Sequence, residues 1–159
     1  MRYGLLGIVL AIFTSLIGYQ RLFATTTLPS TKTLQASISA QTFVSYANAL
    51  MAYQLRNPSF VGSVTGTQLA AMGNSFSPEF LGTAGNSITA FGTAGKRLSA
   101  YAQLQAGALG EVIQSTEGDA SYGTSTGSTW TSVIPGAIAL PLSVNAPNGS
   151  VVYVVEIGR

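Results

Sequence analysis

Cysteine and histidine are both absent from this 159-residue chain. No disulfide, thiolate zinc site or cysteine nucleophile can form. Without histidine there is no Ser-His-Asp triad and no imidazole general base. Charge is scarce as well. Seven Lys and Arg stand against five Asp and Glu, 8% of the chain, where about a quarter is usual. The sequence pI of about 9.1 therefore rests on a small difference between small numbers. Seven scattered cations cannot build the dense basic footprint that phosphate neutralisation demands, which argues against a nucleic-acid partner. The chain is equally unlike a charged disordered tail: apolar residues reach 47% and mean hydropathy is +0.37. Its length allows one domain, or one small domain with an appendage.

What the chain does have begins at its start. Tyr3 to Tyr19 is a run of 17 residues without charge, bounded by Arg2 and Arg21. A bilayer core needs about 20 apolar helical residues, with a lower limit near 17. The run is expected to be a membrane anchor carried by Leu5, Leu6, Ile8, Val9, Leu10, Ile12, Phe13, Leu16 and Ile17. Tyr3 and Tyr19 stand at its ends, where amphipathic rings favour the interface. The competing reading is a cleaved signal peptide. Its best cleavage point follows Ala24, with Leu22 where a small residue is preferred. A type IV prepilin leader would require an early glutamate, and no acidic residue precedes Glu79. The expected organisation is a transmembrane helix or signal anchor over 1–22, a linker over 23–35, and a periplasmic α+β domain over 36–159. The amino terminus is placed in the cytoplasm. Pro29 prevents an unbroken continuation of the membrane helix.

In 36–56, apolar and aromatic side chains at Phe43, Tyr46, Ala47, Leu50, Met51 and Leu55 share one helical face. Asn57-Pro58 ends that helix. Tyr46 and Tyr53, seven residues apart, form a stripe that is either core or a contact ridge for a partner. Thr65-x-x-Gln68 has the pattern of a capping box, leading into a short helix that Gly73 ends. Ser87–Phe91 and Arg97–Ala102 flank a Gly-Thr-Ala-Gly-Lys turn and read as a hairpin. A second helix is expected over 104–115 and a strand over 130–134. The segment 151–157, Val-Val-Tyr-Val-Val-Glu-Ile, reads as a central strand buried on both faces, entered through the Asn148-Gly149 turn. The segments 74–86 and 117–128 read as loop and turn. The fold class is α+β: an N-terminal transmembrane helix, then a small domain with a long helix packed on a mainly antiparallel sheet.

Chemistry is hard to find in these residues. Glu117 and Asp119 could share a face, but no EF-hand or glycosidase pattern accompanies them, and a solvated turn accounts for them. Gly92 to Lys96 lacks the Walker spacing and precedes a strand. Ser99 lies three residues after Lys96, the wrong order for a serine–lysine dyad. Glu156, inside the last strand, is either at the solvated strand end or paired with a cation such as Arg97. The expectation is a non-enzyme with no catalytic residue, cofactor or metal.

Three stretches, taken together, resemble a known family. They are AQTFVSYANALMAYQLRNPSFVGSV, KRLSAYA, and the closing P-x-G-S-V-V-Y-V-V-E-I. The strongest parts are Phe43-Val44-x-Tyr46-x-Asn48-Ala49 with Asn57-Pro58, and Gly149-Ser150-Val151-Val152. Over roughly 3–157 the chain resembles the PilM family of type IVb (thin) pilus assembly proteins of conjugative plasmids. The resemblance implies an inner-membrane structural component of the pilus machine, partnered by other assembly proteins or pilins. It supplies no active site. Two other readings stay open: a minor pilin or pilin-like filament subunit, and a secreted enzyme or small-ligand-binding module released by signal-peptide cleavage.

Overall fold

The computed structural model describes residues 30–158. The predicted anchor, Tyr3 to Tyr19, and most of the expected linker lie outside these residues. No helix among the described residues is long and apolar enough to cross a membrane. From residue 32 onward the chain forms one compact unit.

Helix α1 runs Thr31–Arg56, some 39 Å at 1.5 Å per residue. It starts two residues past Pro29, so residues 31–35 are helical, although the sequence pattern reads them as linker. No apolar periodicity marks that first turn because all five of its residues are exposed. Two short helices follow, α2 (Gly66–Ala70) and α3 (Pro78–Thr83). The hairpin is β1 (Ala84–Phe91) and β2 (Gly95–Ala102). Helix α4 (Ala108–Ser115) leads to β3 (Tyr122–Ser125), β4 (Gly127–Ser132), β5 (Leu140–Ala146) and β6 (Val151–Ile157).

The six strands form one antiparallel sheet in the order β1-β2-β6-β3-β4-β5. The chain's last strand thus enters the middle of the sheet, between β2 and β3. Alternation along β6 explains its uninterrupted apolar sequence. Val151 and Tyr153 join the main core under α1, while Val152 and Val154 pack with Trp130 on the opposite face. Tyr101 and Leu142 complete that second cluster. The sheet is nearly closed. β5 curls back toward β1 and β2, and the Thr89 hydroxyl donates to Ser143 Oγ at 3.3 Å.

The main core is helix on sheet. Phe43, Ala47 and Leu50 from α1 meet Ile88, Leu98, Ala100 and Ala102, all fully buried. At the far end, Phe43 packs edge-on against Tyr122, and Tyr122 lies on Tyr153 with ring centres 4.9 Å apart.

Several elements differ from the sequence expectation. Helix α3 and the start of β1 fall in a segment read as loop. There Ser77 caps the helix by accepting from Phe80 N–H, with Pro78 in its first turn. Strands β3 and β5 also have no counterpart in the sequence pattern: β3 is four residues long, and Pro141 reads as loop although an edge strand tolerates it. The predicted helix over 104–115 begins only at Ala108, after Gly107.

Candidate functional site

The Tyr46–Tyr53 stripe faces inward. Tyr46 is 2% exposed. Its ring meets Phe76 and Phe80 edge-on, with centroids 5.3 and 5.4 Å away. Its hydroxyl accepts a 2.7 Å hydrogen bond from Asn86 Nδ2. Burial holds this phenol's pKa above its ordinary value, partly offset by the Asn86 hydrogen bond. Tyr53 packs on Phe60, and its hydroxyl accepts from Gln68 Nε2 at 2.9 Å. Gln68 is also the third helical residue of the capping box: its Oε1 accepts from Thr65 N–H at 2.8 Å, while Thr65 Oγ1 accepts from Gln68 N–H. One side chain therefore both caps α2 and ties it to α1.

Asn86, which sequence reasoning did not single out, organises this region. It is buried, and all its polar atoms are used. Its Oδ1 accepts from Val64 N–H at 2.7 Å, and its Nδ2 donates to the Val64 carbonyl at 2.9 Å as well as to Tyr46. An isolated bridge pairs Gly62 with Ile88 alongside. A polar Asn on the inward face of a strand was the available signal, since a buried amide requires partners.

The residues weighed for chemistry are not brought together. Asp119 Oδ1 accepts from Ser121 N–H at 2.9 Å, closing the turn between α4 and β3 that also contains Glu117. Lys96 and Ser99 are three residues apart on β2, so they point to opposite faces. Gly92 to Lys96 is the hairpin turn and runs into β2, not into a helix. Glu156 lies opposite Arg97 in register, and the two form an ion pair at 2.8 Å. The Arg97 guanidinium also lies 4.3 Å from the centre of the Phe91 ring. Among the described residues, no group of three His, Cys, Asp or Glu side chains is placed to hold a metal ion.

An open groove of about 330 Å³ is lined by Ile38, Thr42, Phe80 and Leu104 among others. Ile134 and Ile138 in the β4–β5 connection are exposed, as is Leu140, the first residue of β5. The described residues thus include exposed apolar side chains and carry little charge.

The PilM family model matches residues 11–154. No curated protein matches the chain. The fold is similar to a crystal structure of a PilM protein from Escherichia coli B7A, with a TM-score of 0.57 and 16% identity over 82% of this chain and 99% of that one.

Proposed function

The chain belongs to the PilM family, and from that premise we propose that it is a structural component of a type IVb (thin) pilus assembly machine. The family match over 11–154 carries this reading. Residues 3–19 would anchor the chain in the inner membrane, and the α+β domain would stand in the periplasm and bind other assembly proteins or pilins. Its work would be scaffolding without catalysis or a cofactor. The low charge of the domain supports this, because interface cores are depleted in charged residues.

The test is deletion of the gene in a host that displays thin pili, with complementation by the full chain. Loss of surface pili, restored by the full chain, is the expected result. Undiminished piliation would contradict the reading. A second reading, a pilin-like filament subunit, draws support from the long α1 followed by an antiparallel sheet. Finding the chain within sheared, purified filaments would favour it over the assembly component.

A further inference from the structure

The first five residues of α1, Thr31 to Gln35, are all exposed. Leu34 and Ile38, four residues apart and therefore on one helical face, are 48% and 64% exposed. This apolar stripe ends beside the open groove that Ile38, Phe80 and Leu104 help to line. The charge on this part of the chain has one sign. Residues 1–78 hold Arg2, Arg21, Lys32 and Arg56 and no acidic side chain. Lys32 stands in the first turn of α1, which has no acidic residue. That end of a helix carries partial positive charge and favours anions. Arg56, in the last turn, meets the opposite end and is already complemented by it. An exposed cation at the wrong helix end, beside exposed Leu and Ile, calls for a partner that is both anionic and apolar.

We propose that the start of α1 lies in the surface of the lipid bilayer, with Leu34 and Ile38 entering the acyl boundary and Lys32 reaching anionic headgroups. The proposal rests on the reading of residues 3–19 as an anchor. Chain length brings the bilayer within reach: ten residues, 20–29, separate Tyr19 from Ser30, and fully stretched they span about 35 Å. Charge complementarity selects lipid as the occupant. An apolar stripe flanked by Lys or Arg is the pattern of an interfacial helix. A neutral protein surface would accept Leu34 and Ile38 but leave Lys32 opposed by the helix dipole. Glu79 also lines the groove, and anionic headgroups repel its carboxylate, so the contact is confined to the helix stripe.

The absence of native cysteine permits single labels in the full chain, purified from membranes and returned to vesicles of phosphatidylethanolamine and phosphatidylglycerol. An environment-sensitive nitrobenzoxadiazole label is attached to Leu34→Cys, Ile38→Cys or Leu55→Cys. Leu55 is exposed as well but lies about 32 Å along α1 from Leu34. Blue-shifted emission, quenched by nitroxide-bearing lipid, is expected from the first two labels and not from the third. Adding Lys32→Glu to the Ile38→Cys chain should reduce the quenching. The proposal is overturned by a water-like spectrum at Ile38→Cys in vesicle-bound chain, by a blue shift without lipid quenching, which would point to a protein contact, or by quenching that Lys32→Glu leaves unchanged. Flotation and intact mass report the anchor separately. A shortened chain that does not float with the vesicles removes the anchor and the proposal with it, whereas a bound, intact chain with solvent-exposed labels overturns the proposal alone. Circular dichroism of each variant verifies that it is folded.

Discussion

Asn86 on β1 donates a 2.7 Å hydrogen bond to the Tyr46 hydroxyl on α1, joining residues 40 apart in sequence. The same amide holds both polar groups of the Val64 backbone. One buried side chain thus fastens helix, sheet and the segment leading into α2. Asn86→Ala would strand the buried Val64 N–H and carbonyl as well as remove the Tyr46 contact. A loss of about 3 kcal/mol is expected. Tyr46→Phe removes a single hydrogen bond and should cost about 1 kcal/mol. Urea unfolding of the two variants checks the ordering; equal losses would contradict this account of Asn86.

Gly123 on β3 is fixed by close approach. A Cβ there would run into the Thr131 carbonyl oxygen and come within 2.8 Å of Trp130 Cε3. Gly85 looks similar, but the atoms its Cβ would meet, at 2.6–2.7 Å, are at the outer end of the Tyr101 ring. Backbone cannot yield as a side chain can. Gly123→Ala should therefore cost more than about 2 kcal/mol and Gly85→Ala less than that. Thermal unfolding of both variants reads the difference directly.

The Arg97–Glu156 pair is partly exposed, at 23% and 28% for the two side chains. Solvent screens it, and Glu156→Gln is expected to cost no more than about 1 kcal/mol, a loss that shrinks with added salt. Arg97→Ala should cost more, because it also removes the cation over the Phe91 ring. Unfolding midpoints at low and high salt separate the two contributions. An Arg97→Ala loss no larger than that of Glu156→Gln would contradict a role for Phe91.

Burial raises the pKa of Tyr46, of Tyr122 and of Tyr153 above the ordinary 10.0, with Asp119 adding to the shift at Tyr122 and Tyr153. A phenol whose folded pKa is raised favours its neutral form in the folded state. The stability linked to it is fully present below pH 10 and is lost as pH rises through the folded values. Urea midpoints should be level up to about pH 9 and fall steeply above about pH 10. Tyr122→Phe should lessen that fall. Phenols that ionise at the ordinary pKa while the chain stays folded would contradict the assignment.

The legibility of this fold in its sequence follows burial. Helix α1 and strand β6 are legible because each buries a regular set of side chains: α1 one face with a 3.6-residue period, and β6 an apolar run that a central strand requires. The Thr65–Gln68 cap and the Asn148-Gly149 turn are legible because local backbone geometry selects those residues. Helix α3 and strands β3 and β5 are not. Helix α3 and strand β3 are short and owe their form to neighbours distant in sequence, while the alternation of Leu140, Leu142, Val144 and Ala146 in β5 is masked by Pro141. The same holds for the surface features. A stripe such as Tyr46 and Tyr53 is ordinarily core, but periodicity marks a stripe without saying what covers it. The exposure of Ile134 and Ile138 depends on how β4 and β5 fold back, which no local pattern encodes.

The anchored-component account is tested most directly by the intact mass and cell fraction of the natively expressed chain. The account predicts an unprocessed 16.4 kDa chain in the inner-membrane fraction. A chain shortened by about 24 residues and recovered from the periplasm or the medium would contradict the anchor.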